Sequence, residues 1–332
     1  MPSSRRLGKI LLGLLVSTGL LVYFFWDVDL RVVADRLRET IWTFLVLSVA
    51  LNFLSMWMRA WRWYYLFPPG AHPTHLFRAL IIGYMGNNLL PLRAGELVRI
   101  YVASRRGQQF WTTFATVVVE RVLDGLAVGL IVAALLLVVP LGAEMRWSIF
   151  VFLAIDLVGI AVLVAIASAP GLCRLVIEAL FHRFGRLERR LLDILGTMTE
   201  GLRGVRSAQH VVPITVCSMV IWLFFALSIW TALHAAHLDL PLAAAWTVLA
   251  FLGLGVSLPS SPGFVGVVQA ATVLALALFA VPRTEALSFS LLIHASQFIP
   301  VTAVGLLWLL LEHVSLTDAA RAGGSRVASS ER

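Results

Sequence analysis

The sequence predicts an all-α protein: a polytopic membrane helix bundle with two inverted-topology repeats, each containing a re-entrant broken-helix hairpin. Three observations predict it. First, 60% of the 332 residues are hydrophobic against 13% charged, with mean hydropathy +0.90, and several apolar runs reach the roughly 20 residues needed to cross about 30 Å of hydrocarbon. Second, Gly86-Asn87-Asn88-Leu89-Leu90-Pro91-Leu92-Arg93-Ala94-Gly95-Glu96-Leu97-Val98-Arg99 sets proline, glycine, amides and charges inside such a run, which hydrocarbon tolerates only where they line a cavity. Third, the chain resembles itself at a displacement of 168 positions.

Residues 1–332 read as a single integral membrane domain. The net charge of +8 lies in short loops between apolar runs, as cytoplasmic loops facing anionic lipid do, and no nucleic-acid recognition module accompanies it. Cys173 and Cys217, the two cysteines, indicate neither a disulfide framework nor a zinc site.

Arg5, Arg6 and Lys9 precede an apolar run from Leu11 to Trp26 that lacks a good small-residue cleavage site, so it reads as a first transmembrane helix with its N-terminus inside. Residues 27–40 read as a short surface helix outside. A second span, Ile41 to Met58, ends in Arg59-Ala60-Trp61-Arg62-Trp63-Tyr64-Tyr65, an expected cytoplasmic interface anchor. His72–Leu92 is too short and too polar at its far end for a comfortable crossing. The arginines that follow it, Arg99, Arg105 and Arg106, stay inside only if the chain turns back near Pro91, hence a re-entrant hairpin. Phe110 to Leu141 then runs outward, and Ile149 to Ser168 returns with a lone Asp156, either satisfied within the bundle or touching substrate. Residues 169–209 form a cytoplasmic connection, rich in arginine, with apolar positions at helical spacing; it reads as an amphipathic helix on the inner leaflet or as a solvated connector. Residues 314–332 read as a disordered cytoplasmic tail.

The displacement of 168 places Val211–Ala235 on the second span, Pro241 on Pro73, Leu258-Pro259 on Leu90-Pro91 and Gly263 on Gly95, so both copies read Leu-Pro-x-x-x-Gly after an apolar half-helix. The repeats cover 41–141 and 209–309. They begin on opposite sides of the membrane, and their two helix breaks are expected to meet near its midplane as a substrate site.

Asn-x-x-Leu-Pro-x-Arg-x-Gly-Glu-x-x-Arg, then Glu120-Arg121-x-x-Asp124, then Pro259-x-x-Pro262-Gly263-x-x-Gly266, resembles the flippase-like transmembrane family typified by the membrane module of lysylphosphatidylglycerol synthase, the multiple peptide resistance factor. The likeness covers about residues 8–315. It implies movement of a lipid between leaflets without synthesis of it; the expected location is a bacterial inner membrane with both termini cytoplasmic, and no stretch is long and polar enough to be the soluble aminoacyl-transferase domain of the full synthase. Where the family commonly has a glutamate after the glycine-rich motif, this chain has Gln269, which weakens any proton-coupled role there.

The first motif suits a charged headgroup. Pro91 frees backbone carbonyls, Gly95 permits a close approach, and the helix entered near Ala94 can point its amides at an anion. Arg93, Glu96 and Arg99 recur at spacings of three along one face. Arg93 can grip a phosphate in bidentate fashion while Glu96 holds an arginine or a cationic headgroup; alternatively the cluster staples the hairpin. Asn87 and Asn88 complete this half. Glu120 and Asp124 share one helix face with Arg121 a quarter turn round, and their expected partners are Arg93, Arg99 or each other through a proton. They form a structural ion pair, a gate or a relay; without nucleophile, metal set or nucleotide loop, no enzyme and no cofactor are expected.

In the second motif Ser260, Ser261 and the Pro262-Gly263 break offer hydroxyls and backbone without charge, with Gln269, His294 and Gln297 the nearest polar groups. His294 is simply hydrogen bonded or senses protons. His72 and His75 have a metal-like spacing without further ligands, so no metal is expected. The resulting expectation is a translocator of a phospholipid, an aminoacyl-phospholipid or a polyprenyl-phosphate carrier. The alternatives are a lipid-binding scaffold for a lipid-modifying enzyme or glycosyltransferase, and a membrane-embedded transferase.

Overall fold

The computed structural model describes residues 30–67, 72–90, 94–105, 110–135, 154, 157–159, 161–162, 165–166, 169–203, 208–257 and 262–312. The expected first span at 11–26, Pro91, Arg93, Asp156, Pro259, Ser260, Ser261 and the tail at 314–332 lie outside the described residues. Among those described, the chain forms α1 (Leu30–Arg38), α2 (Trp42–Tyr64), α3 (Pro73–Leu89), α4 (Gly95–Ser104), α5 (Phe110–Leu135), α6 (Pro170–Phe181), α7 (Gly185–Arg203), α8 (Ala208–Ala235), α9 (Leu242–Ser257), a 3-10 turn (Pro262–Phe264), α10 (Val267–Ala277) and α11 (Arg283–Leu311). Among the described residues three helices, Trp42–Tyr64, Gln209–Ala235 and Arg283–Leu311, are long and apolar enough to cross a bilayer. The all-α class therefore stands, and the connection at 169–209 resolves into α6 and α7, the latter packed on α5.

The spine is the pair α2 and α8. Along α2 the polar residues Ser48, Asn52, Ser55, Arg59 and Arg62 recur every three or four positions and are buried, whereas Trp42, Val46 and Leu47 on the same helix are exposed. Such a helix buries its polar stripe and turns its apolar face to lipid, where small residues and interhelical hydrogen bonds replace the hydrophobic driving force. Ser48 Oγ donates to the Ser228 carbonyl at 2.7 Å and Ser228 Oγ donates to the Ser48 carbonyl at 2.8 Å; Ser55 Oγ donates to the Ile221 carbonyl at 3.0 Å. Numbers fall on one helix as they rise on the other, so the pair is antiparallel.

Helix α3 starts with Pro73 in the first turn, where a missing N–H costs nothing. It stops because Leu90 precedes Pro91 and is driven extended, with φ −104° and ψ 144°. The chain then folds back as α4 against α3. An added Cβ on Gly83 would stand 2.6 Å from the Arg99 Cβ, and one on Gly86 2.8 Å from the Gly95 Cα. One on Gly95 would collide with the Gly83 carbonyl and the Asn87 backbone nitrogen. Three glycines thus set the depth of an antiparallel helical hairpin.

Apolar packing closes around it in two clusters, one joining α3, α4 and the start of α5 through Leu80, Ile81, Met85, Val98 and Ile100, the other joining α5, α8, α9, α10 and α11 through Val132, Ile229, Val248, Leu276 and Phe289. Gly95→Ala is expected to cost about 3 kcal/mol, the upper end for overpacking, whereas Gly171→Ala, where the space is open, is expected to be near neutral. Unfolding midpoints of the two variants in detergent check this.

Candidate functional site

Seven charged side chains from three helices converge beside the hairpin. Asp124 on α5 receives Arg59 at 2.7 Å on Oδ2 and Arg62 at 2.7 Å on Oδ1. One turn earlier Glu120 receives Arg99 from α4, Nη2 to Oε2 at 2.7 Å and Nη1 to Oε1 at 3.4 Å. Arg62 also stands 3.7 Å from Glu120 and so ties the two carboxylates together. Glu96 closes the ring, 3.6 Å from Arg99 and 3.3 Å from Arg121.

The spacing explains the convergence. Glu120 and Asp124 are one helical turn apart on α5, Arg59 and Arg62 lie on one face at the end of α2, and Glu96 and Arg99 do so on α4. Indole rings complete the lining: the Arg99 guanidinium lies 4.4 Å from the Trp63 ring centre and Arg59 lies 5.2 Å from that of Trp222. Trp63 Nε1 in turn donates to Thr116 Oγ1 at 2.9 Å, which fixes the ring on α5.

Among the described residues four guanidinium groups face three carboxylates, so these side chains together keep one positive charge in excess. Burial is uneven: the side chains of Arg62 and Glu120 are fully enclosed and Arg99 nearly so, whereas that of Arg121 is 41% exposed. Arg121 stands 3.3 to 3.7 Å from Glu96, Glu120 and Asp124, longer than the 2.7 Å contacts of the inner arginines. The surplus charge is therefore presented where an anion can reach it.

Glu120 and Asp124 are paired with arginines, as expected of carboxylates inside a bundle, and Arg99 is among the partners. The sequence reading missed Arg59 and Arg62 as partners, having placed them at a membrane interface. Both are buried here. Their spacing of three, on the face continuing the Ser48–Asn52–Ser55 stripe, is the signal that points them inward.

The hairpin tip carries Asn87 and Asn88. Asn87 Nδ2 reaches Glu96 Oε1 at a long 3.5 Å, and its buried Oδ1 has no hydrogen-bond partner among the described residues. Asn88 Nδ2 donates to Thr302 Oγ1 on α11 at 2.8 Å.

The second break is built without charge. Gly263 and Gly266 take φ 69° and 86°, which a side chain would resist. His294 Nε2 donates to the Gly263 carbonyl at 2.8 Å, which leaves Nδ1 to accept from Gln269 Nε2 at 3.0 Å; Gln269 Oε1 accepts the Gly266 amide at 2.7 Å. Gln269 and His294 therefore hold the turn that starts α10. Gln297 Nε2 is buried without a hydrogen-bond partner among the described residues. The two breaks meet: an added Cβ on Gly263 would stand 3.3 Å from the Asn88 carbonyl and 2.7 Å from the Phe298 ring. Among the described residues no group of three His, Cys, Asp or Glu could hold a metal ion.

The family model described as the lysylphosphatidylglycerol synthase TM region matches residues 10–305. Glycosyltransferase AglD of Haloferax volcanii is 27% identical over 275 residues, covering 73% of this chain and 44% of the relative. The chain thus spans less than half the length of this curated relative. No solved structure matches.

Asp124→Asn removes the charge that compensates Arg59 and Arg62 and is expected to cost about 3–5 kcal/mol, the range for breaking a buried pair. Combining it with Arg62→Met is expected to recover part of that loss. A double-mutant cycle on unfolding in detergent measures the coupling.

Proposed function

The chain belongs to the lysylphosphatidylglycerol synthase TM region family and is an integral membrane protein; from that premise we propose that it moves a phosphate-bearing lipid between the leaflets of a bacterial inner membrane. The observation that carries the reading is the charged cluster, with its surplus positive charge on Arg121, set beside two helix breaks that touch. The phosphate docks on Arg121 and the amides at the start of α4, the tails stay in the bilayer, and Glu96 exchanges Arg121 for the incoming headgroup.

The element order supports two inverted repeats. Long helix, half-helix, break, short helix and long helix occur as α2–α5 and again as α8–α11, and α3 and α9 both end where the displacement of 168 requires, at Leu89 and Ser257. Pairings match as well: α3 packs on α11 as α9 packs on α5. The α2–α8 pair, in which Ser48 meets Ser228, is antiparallel, as repeats of opposite orientation require. In this reading both hairpins are re-entrant and the site lies where their tips meet.

The protein acts without chemical catalysis; it has membrane lipids as its partners, and both termini are cytoplasmic. The candidate substrates are a phospholipid, an aminoacyl-phospholipid and a polyprenyl-phosphate-linked carrier. A second reading, a lipid-binding module serving a glycosyltransferase, is favoured by the similarity to a protein named glycosyltransferase AglD.

Leaflet exchange in proteoliposomes with fluorescent anionic and polyprenyl-phosphate lipids separates the two. Exchange is expected in wild type, and Arg121→Gln and Arg93→Ala are each expected to slow it about tenfold, the equivalent of one charge-assisted contact. Folded, inserted protein that moves no lipid above empty vesicles overturns transport in favour of the binding module.

A further inference from the structure

At the opposite end of the α2–α8 pair lies a cavity of about 220 Å³. Its walls are α1, the turn after α8 and the first turns of α11, with Arg36, Leu37, Leu238, Glu285, Phe289 and Leu292 among the lining side chains. From Ile41 to Arg59 along α2 is about 27 Å at roughly 1.5 Å per residue, close to the thickness of the hydrocarbon layer. Cavity and charged cluster therefore sit at the two ends of the bundle.

The two places are equivalent by the displacement of 168. Ser288 and Leu292 on α11 correspond to Glu120 and Asp124 on α5, and the end of α8 corresponds to the end of α2. Even the covering elements match, since α1 packs on α11 as α7 packs on α5. In the first half this junction is filled by seven interlocked charges; in the second, among the described residues, the cavity is bordered by Arg36, whose Nη2 stands 2.9 Å from Glu285 Oε1 and whose Nη1 stands 3.7 Å from Glu39 Oε2.

That pair is built to be exchanged. Both side chains reach solvent, Arg36 at 45% and Glu285 at 31%, so the pair contributes little to stability. The walls around it are fixed independently: His237, held at φ 56°, donates from Nε2 to the Glu39 carbonyl at 2.9 Å, and Trp230 Nε1 donates to the Leu240 carbonyl at 3.1 Å. Glu39, 3.7 Å from Arg36, is itself largely exposed.

The geometry points to a binding site for a zwitterionic lipid headgroup of the phosphoethanolamine class. A lone anion taking Arg36 would draw it from both Glu285 and Glu39 and leave two carboxylates without their cation, whereas a lone cation on Glu285 would leave Arg36 to Glu39 alone. A headgroup with both charges replaces the pair with two pairs: phosphate on the Arg36 fork, ammonium on Glu285. The cavity has the volume of about seven waters, and Leu37, Leu238, Phe289 and Leu292 provide an apolar lining for the adjoining glycerol and chain ends. This site rests on the translocation reading only for its role as a second station on the far leaflet; binding is independent of it.

Calorimetric titration of the full chain in uncharged maltoside detergent tests it, with water-soluble dihexanoyl phosphatidylethanolamine, dihexanoyl phosphatidylglycerol and free phosphoethanolamine as probes. The ethanolamine lipid is expected to bind roughly tenfold more tightly than the glycerol lipid, and Arg36→Gln and Glu285→Gln are each expected to abolish that preference, with wild-type unfolding midpoints. Equal affinity for the two lipids, or a preference that survives both substitutions, overturns the site. Free phosphoethanolamine binding as tightly as the lipid overturns a lipid as its occupant. Preference lost on substitution in a protein that exchanges no lipid keeps the site and removes translocation; exchange without the preference does the reverse.

Discussion

Charges withdrawn from water must be compensated by other charges close at hand, and in this protein that requirement governs how three helices meet. Arg59 and Arg62 on α2, Arg99 on α4, and Glu120 and Asp124 on α5 are each tolerable only because the others are within 2.7 to 3.7 Å. The desolvation of any one, left alone, exceeds what a helix–helix contact supplies. Arg99 can reach Glu120 because α4 lies against α3 at glycine distance, with the stem of Arg99 pressed on Gly83. The small residues of the hairpin and the ion pairs of the cluster are consequently one device: the former let the backbones approach, the latter give the approach its register.

The two halves solve the same topological problem with different chemistry. Each has a half-helix that stops, a break, and a short helix that restarts. In the first half the restart is anchored by charge; in the second it is anchored by a neutral relay in which Gly263, Gly266, Gln269 and His294 satisfy one another. Neutral hydrogen bonds hold a turn without creating a field, whereas the surplus guanidinium on the first half creates one. At the far junction, among the described residues, Arg36 pairs in partly exposed surroundings with Glu285 and Glu39.

Membrane solvent inverts the usual reading of burial. Trp42, Val46, Val212, Met219 and Leu310 are exposed, while serine, asparagine and arginine are enclosed. In water this pattern would expose a large apolar surface; in lipid it is the favourable arrangement, since apolar side chains gain nothing by leaving hydrocarbon and polar ones gain partners by leaving it.

The sequence by itself determined the class, the positions of most of the described helices and the helix stop before Pro91, because apolar run length and proline act locally. It also picked out Glu96, Arg99, Glu120, Arg121 and Asp124, since charge inside an apolar run is costly wherever the run folds. Only the tertiary structure decided which charges pair. Arg59 and Arg62 sit beside tryptophans and tyrosines, the composition of an interface, and nothing within their own helix says that Asp124, over 60 residues away, faces them. Gln269 and His294 likewise look like free polar groups until α10 and α11 come together. Partner choice depends on distances between helices, and those are fixed by packing around glycines and ion pairs that no local stretch of sequence contains.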